Sequence, residues 1–234
     1  MNKKAIILLS GGIDSTTTLV FAINQSFECY AISFDYNQKH KIELEYAKKI
    51  AMKYKVKEHK TIKININNFT KSALINENSA VPKYKNIKEL PDNIPVTYVP
   101  ARNTLFLSYA LSWAESLKIT TIFVGANKDD KVRYPDCRSE FFKKFEELAN
   151  IGTSFINSKE KIKILAPFIN FTKEEVIKYG IENSIDFANT FTCYEPINGK
   201  PCGKCYSCLI REDAFNKIKK EQAVTDGYKQ CGRK

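Results

Sequence analysis

The chain is expected to fold as an α/β domain around a doubly wound parallel sheet. Three features predict this. Apolar runs of strand length alternate with helix-length segments from the N-terminus as far as Tyr179. The runs at residues 5–9, 28–35 and 120–126 read as buried strands, as in a parallel sheet covered on both faces. The first of them ends in Ser10-Gly11-Gly12 just where a helix-like run begins, the arrangement that makes an anion cradle at a helix N-terminus.

The first strand covers residues 5–9 (AIILL) and leads into the loop SGGIDSTT, Ser10 to Thr17. Gly11 and Gly12 permit positive φ and a close backbone approach to phosphate oxygens. Ser10, Ser15 and Thr16 add hydroxyl donors. Asp14 would repel phosphate unless a cation lay between them, so it reads as a Mg²⁺ ligand. The loop is not a Walker A sequence, because it lacks the G-x-x-x-x-G-K-[ST] pattern and its lysine. A helix follows over residues 16–24.

Residues 28–35 form the second strand, with Phe34 to His40 (FDYNQKH) at its carboxyl end, where ligands of open parallel sheets gather. His40, one of two histidines, reads as a capping or surface residue of the next helix. That helix spans residues 41–54 and places Ile42, Tyr46, Ile50 and Tyr54 on one face. Residues 56–66 read as a strand. The polar stretch 67–95, with Pro82 and Pro91, reads as a lid or insertion.

In VPARN, Pro100 ends an extended run and Asn103 is placed to cap a helix over residues 104–117. Arg102 stands just before it, suited to a bidentate contact with phosphate. Residues 120–126 (TTIFVGA) form the next strand. Beyond it, Asp129, Asp130, Arg133, Asp136 and Arg138 crowd around Tyr134-Pro135. A carboxylate there can accept two hydrogen bonds from a flat heterocycle, and the arginines can hold an anionic substrate. Cys137 reads as a buried structural residue. A helix over residues 141–149 and a strand over 161–169 follow. Thr172-Lys-Glu-Glu175 is a capping box opening a helix that runs to Tyr179, with Gly180 as its stop.

Cys193, Cys202, Cys205 and Cys208 close the pattern as C-x8-C-x2-C-x2-C. Four thiolates at this spacing suit a closed, structural Zn²⁺ site. An iron–sulfur cluster is the rival, but its bacterial pattern wants a further Cys-Pro where Leu209-Ile210-Arg211-Glu212 stands. Accordingly, residues 1–190 are expected to be the nucleotide-binding domain and residues 191–234 a zinc-bound segment packed on it.

At 234 residues, with 43% apolar and 27% charged residues, the chain can bury a substantial core. No apolar run approaches the ~20 residues of a membrane span. Met1-Asn-Lys-Lys leads into a strand and not into a signal peptide. A cytoplasmic location is therefore expected, with thiols serving as ligands before disulfides. The formal charge of +11 is spread over lysines in nearly every segment, without the arginine–aromatic interleaving of RNA binders. No nucleic-acid partner is expected.

Strand–SGGxDS–helix resembles the PP-loop of ATP pyrophosphatases, with their adenine-nucleotide alpha-hydrolase-like fold. Together with FDYNQKH, VPARN, VGAN, YPDCR and the cysteine cluster followed by LIRxxAF, the chain resembles the 7-cyano-7-deazaguanine synthase family of queuosine biosynthesis. The resemblance runs from Ile6 to Phe215, and YPDCR with the cysteine spacing is its specific part. It implies ATP-dependent conversion of 7-carboxy-7-deazaguanine and ammonia to the nitrile through adenylated intermediates, with Mg²⁺ and Zn²⁺ as metals and a homodimer as the assembly. The nucleotide would lie along Leu8, Leu9, Ser10, Gly11, Gly12, Ile13, Asp14, Ser15, Thr16, Thr17 and Thr18. Asp14 and Arg102 would be catalytic, and Asp129, Asp136 and Arg138 would grip the deazaguanine. Asn37 departs from the family's glycine and is tolerated best if its φ is positive. The alternative is a PP-loop tRNA-modifying enzyme of thiolation or lysidine type. Against it stand the lack of an appended RNA-binding domain and of a catalytic cysteine pair outside the cluster.

Overall fold

A computed structural model describes residues 3–67, 70–91 and 93–231. Among these residues, five parallel strands form one sheet: β1 (Lys3–Leu8), β2 (Phe27–Asp35), β3 (Glu58–Lys63), β4 (Thr121–Phe123) and β5 (Lys163–Leu165), in the order β3-β2-β1-β4-β5. β1 pairs Ala5 with Cys29 of β2 on one side and Ile6 with Ile122 of β4 on the other. The strand order reverses there, and a crevice opens beyond the carboxyl ends at such a switch point. The edge strand β3, EHKTIK, alternates half-buried with exposed, mostly charged residues, a composition that discourages pairing with another chain.

The helices are α1 (Ile13–Asn24), α2 (Glu43–Lys53), α3 (Arg102–Leu117), α4 (Lys128–Arg133), α5 (Ser139–Gly152), α6 (Lys173–Glu182) and α7 (Tyr206–Cys231). Alternate strand residues face opposite layers. Ala5, Ile7 and Leu9 pack with Leu19 of α1 and Ile50 of α2. Ile6 and Leu8 pack instead with Leu107 and Ala110 of α3 and Phe142 and Phe145 of α5. Each fully buried aliphatic or aromatic side chain contributes roughly 1.5–3 kcal/mol. Both faces must therefore be covered, which is why the central strands β1, β2 and β4 read as mostly apolar runs.

A third cluster joins Ile13 and Val20 of α1, Val176 and Ile177 of α6, and Ala214 and Ile218 of α7. The C-terminal helix thus shares a core with the helix that follows the glycine loop. The sequence pattern predicts neither α7 nor the short α4. Among the described residues, no helix is long and apolar enough to cross a membrane.

Two helix ends differ from expectation for identifiable reasons. α3 starts at Arg102 instead of Thr104, after Ala101 in the left-handed region (φ 54). Asn103 is not its cap. Its N–H donates to Asp136 Oδ2 at 3.0 Å, and its amide donates to the Asp136 carbonyl at 2.9 Å. Gly180 lies inside α6 instead of stopping it, because the Phe187 ring covers it: a Cβ there would stand 2.3 Å from Phe187 Cζ. The capping box at Thr172 forms as expected.

The polar stretch between β3 and α3 docks onto the cysteine loop. Tyr84 N–H donates to the Lys204 carbonyl at 2.8 Å, Lys83 pairs with Glu195 at 2.7 Å, and Val81 is buried against Phe191 and the cysteines. On its other side Leu74 and Ile75 are buried with Ile32 and Phe34 of β2, and the Lys39 N–H donates to the Leu74 carbonyl at 2.8 Å.

Candidate active site

The glycine loop connects β1 to α1 at the strand-order reversal. Gly11 has φ +83, and a Cβ on it would lie 2.5 Å from the Glu43 carbonyl oxygen and 2.8 Å from Ala47 N. Glycine is therefore required twice over, by backbone conformation and by the close approach of α2. Gly12 begins α1 without a side-chain cap, leaving the helix's first N–H groups for an anion. Ser10 and Ser15 link hydroxyls at 3.0 Å. Gly125, after β4, closes on the same turn: its missing Cβ would stand 2.7 Å from Ser15 N.

The Thr-rich start of α1 divides in two. Leu8, Leu9, Ser10, Gly12, Ile13, Asp14 and Ser15 line the cavity at the switch point, whereas Gly11 and Thr16 to Thr18 do not. Thr16 and Thr17 donate their hydroxyls to the Gly12 and Ile13 carbonyls at 2.7 and 2.9 Å, and all three threonines are buried.

Asp14 stands at the centre of a charged cluster. Its Oδ2 meets Lys173 Nζ at 2.5 Å and its Oδ1 accepts from Asn127 Nδ2 at 3.0 Å. Asn127 is fully buried and caps α4, accepting from Asp129 and Asp130 N–H groups at 2.8 and 3.1 Å. The Lys173 N–H donates to Asp129 Oδ2 at 3.0 Å. Burial pulls the Lys173 ammonium down, but Asp14 and Asp130 outweigh it and hold it above the ordinary lysine range. Burial pushes Asp130 up to about 6 against the pull of Lys173. Three carboxylates around one ammonium leave surplus negative charge facing the cavity.

Across the cavity, Arg102 donates to the Tyr36 hydroxyl at 3.2 Å. Burial would weaken its protonation, but Tyr36, Tyr134, Tyr194 and Asp136 more than compensate. His40 is buried here, not on the surface as expected, with its ring beside Tyr36 and Tyr194. Burial, then Arg102, lowers it to about 3, so it is neutral. His40 Nε2 lies 3.4 Å from Glu43 Oε1, which also accepts from Gln38 Nε2 at 2.8 Å. Asn37 has φ 68, the conformation its place in the glycine position called for.

Of the other residues singled out from sequence, Asp129 lines the cavity, but Asp136 and Arg138 do not. Asp136 is buried under the start of α3, and Arg138 is exposed and donates to the Lys131 carbonyl at 3.3 Å. Sequence reading missed Lys173 and Glu43 as cavity groups and Asn127 as the buried partner of Asp14. Lys173 opens a capping-box helix and Asn127 ends VGAN, so position after a strand was the available signal. Glu43 had none.

The four cysteines converge. Their sulfurs all lie within 4.8 Å of one another. The Cys202 and Cys205 N–H groups donate to Cys193 and Cys202 sulfurs at 3.2 and 3.3 Å, and bonds from Cys193 and Cys208 hold the Cys205 thiol well below its ordinary range. This donor set can hold a tetrahedral metal ion. It is no remote appendage, since Tyr194 and Tyr206, each next to a cysteine, line the cavity. Phe191 N–H donates to the Gly11 carbonyl at 2.9 Å. In LIRxxAF, Arg211 donates to the Phe187 carbonyl at 2.7 Å and to Thr190 Oγ1 at 2.9 Å, fixing α7 to the loop before the cluster.

Among solved structures, an NMN synthetase from Francisella tularensis has a similar fold, with a TM-score of 0.50, 15% identity, and coverage of 88% of this chain and 70% of that one. The family model described as queuosine biosynthesis protein QueC matches residues 4–219. A 7-cyano-7-deazaguanine synthase of Rickettsia rickettsii (strain Sheila Smith) is 49% identical over 218 residues, which are 93% of this chain and 96% of that protein. Its counterpart in Rickettsia canadensis (strain McKiel) is 47% identical over 216 residues, 92% and 95% of the two chains. With the glycine loop at the sheet's switch point, the acidic cluster and the converged cysteines in one wall, the chain belongs to the QueC family of 7-cyano-7-deazaguanine synthases, enzymes of queuosine biosynthesis.

Proposed function

We propose that the cavity activates one carboxyl carbon twice with ATP, turning 7-carboxy-7-deazaguanine and ammonia into 7-cyano-7-deazaguanine. A carboxylate is unreactive until one oxygen becomes a leaving group, and transfer of AMP supplies one. Ammonia displaces that AMP to give the amide. Adenylation of the amide oxygen and loss of AMP leave the nitrile. The observation that carries this reading is the Asp14–Lys173–Asp129–Asp130 cluster beside the uncapped start of α1. Donors for phosphate and carboxylates for a divalent cation meet there.

The cluster fits Mg²⁺. Its surplus negative charge calls for a second cation, and Asp14 with Asp130 would hold it. Bound there, Mg²⁺ would neutralise phosphate charge during AMP transfer. Ser10, Gly12 and Ser15 hold the pyrophosphate, and Lys173 and Arg102 steady the charge that develops on it. Gly11 and Thr16 to Thr18 serve from behind the loop, shaping it without facing the ligand. Asp129 takes the deazaguanine N–H groups, while Asp136 and Arg138 contribute by setting the start of α3 and the α4 turn.

The cysteine cluster fits Zn²⁺, which would clamp the loop bearing Tyr194 and Tyr206 without an open coordination position. Residues 1–190 then form the ligase body and residues 191–234 its metal-clamped wall. The assembly is a cytoplasmic homodimer. Free ammonia is the nitrogen source, and nucleic acid takes no part.

The test is incubation of the protein with ATP, Mg²⁺, ammonia and 7-carboxy-7-deazaguanine, with products weighed by mass spectrometry. The nitrile and AMP are expected. Asp14→Asn should abolish AMP formation while the circular-dichroism spectrum stays native. Full activity of that variant would remove Asp14 from the mechanism.

A further inference from the structure

Glu43 stands apart from the other carboxylates of the cavity. Asp14, Asp129 and Asp130 surround Lys173, whereas Glu43 enters beside the loop at the first turn of α2. Its side chain is 13% exposed and lines the cavity. Gln38 orients it. The Gln38 oxygen accepts from Tyr36 N at 2.9 Å, and its nitrogen donates to the Phe34 carbonyl at 3.0 Å and to Glu43 Oε1 at 2.8 Å. A carboxylate with no ammonium beside it is a poor neighbour for a triphosphate and an anionic acid. It suits a partner that arrives bearing protons.

The two adenylations take no proton from the acid or the amide oxygen. The nitrogen steps release them. We propose that Glu43 is the general base of the nitrogen chemistry, an inference that rests on the two-adenylation reading above. As ammonia adds to the adenylated carbon, its C–N bond forms and an N–H proton passes to the Glu43 carboxylate. The C–O bond to AMP then breaks, its electron pair leaving with AMP. In the second half, the adenylated amide loses its N–H protons to Glu43 in turn, and AMP departs with the C–O electron pair as the third C–N bond forms. Each proton leaves Glu43 for water at the cavity mouth, so the cycle releases three protons and no electron changes owner.

Burial pushes Glu43 up to about 7, against Gln38 and Arg102, which favour its ionised form. A base near the working pH is the efficient choice. The groups facing it are Tyr36 and His40 from the loop after β2 and Arg102 from α3. Tyr36 is pushed up to about 12 by burial, His40 lies far below neutrality and Arg102 stays charged, so none of them titrates beside it.

The test compares two rates: acid-dependent ATP–pyrophosphate exchange without ammonia, and conversion of the added amide to nitrile. In the native protein, nitrile formation should fall as pH drops through about 7 relative to exchange. Glu43→Gln keeps the bond from Gln38; exchange should stay within about threefold of native while nitrile formation falls roughly 100-fold or more, with partial recovery in Glu43→Asp. Parallel pH profiles for the two native reactions overturn the proposal. So does a Glu43→Gln variant that loses both rates equally or neither. If the native protein shows no acid-dependent exchange, the adenylation reading fails first and the base role falls with it.

Discussion

Replacing Lys173 with Met removes the ammonium that faces Asp14, Asp129 and Asp130. Lys173 and Asp14 are 13% and 19% exposed and meet at 2.5 Å, so little solvent would screen the carboxylates left behind. Removing one partner of a buried pair costs about 3–5 kcal/mol. For a chain of this size, that lowers the melting temperature by roughly 10 °C. The loss must depend on pH. Lys173 itself is held above its ordinary range, so its stabilising charge is intact from acid to neutral pH and is lost only in strong alkali. Asp130 takes up a proton near pH 6 in the native protein, and losing Lys173 raises it further. At pH 5 the variant's cluster is therefore partly neutral and its deficit smaller than at pH 8. Calorimetric melts of native protein, Lys173→Met and Lys173→Arg at both pH values, with and without Mg²⁺, measure this directly. Lys173→Arg should retain most of the stability, and Mg²⁺ should restore part of what Lys173→Met loses. An equal deficit at both pH values, or none at pH 8, would refute the reading of the cluster as three carboxylates awaiting a second cation.

Three further outcomes are expected. Gly125→Ala drives a Cβ to within 2.7 Å of the Ser15 nitrogen, so it should cost about 1–3 kcal/mol in a thermal melt and raise the KM for ATP; unchanged values would mean that the strand end can retreat from the loop. Elemental analysis should find one zinc per chain, lost in Cys205→Ser along with solubility, whereas a brown protein with broad visible absorbance would identify an iron–sulfur centre instead. Glu43→Gln should melt higher than the native protein at pH 8 but alike at pH 5. The carboxyl binds its proton up to about 7 when folded, against 4.5 ordinarily, and carrying it ionised costs the native state about 3 kcal/mol. A lower melting point at pH 8 would contradict that burial effect.

Local features were legible because their physics is local. The glycine loop, the Thr172 capping box and the positive φ of Asn37 follow from the conformations that a few neighbouring side chains permit. The alternating apolar runs foretold the parallel sheet, since burial on both faces leaves no polar alternation. The cysteine spacing brought four sulfurs together because each C-x-x-C turn sets its own geometry. Strand ends were less exact. β4 and β5 are three residues each where longer runs are expected, because the apolar pattern reports burial, and Val124, Ala126, Ile162 and Phe168 are buried just outside the strands.

What required the tertiary structure was everything set by approach from a distance. Asp136 reads like a ligand-binding carboxylate, yet the path of α3 puts its oxygen on the Asn103 N–H. His40 reads like a surface residue until the loop after β2 folds it between Tyr36 and Tyr194. Lys173 lies 159 positions from Asp14 in sequence, and no pattern along the chain announces a pair that exists only because the sheet order reverses at β1. The residue sequence by itself determined most of the elements up to α6, the glycine loop and the thiol cluster. The fold decided which charges face one another, because electrostatics depends on distance through space and not along the chain.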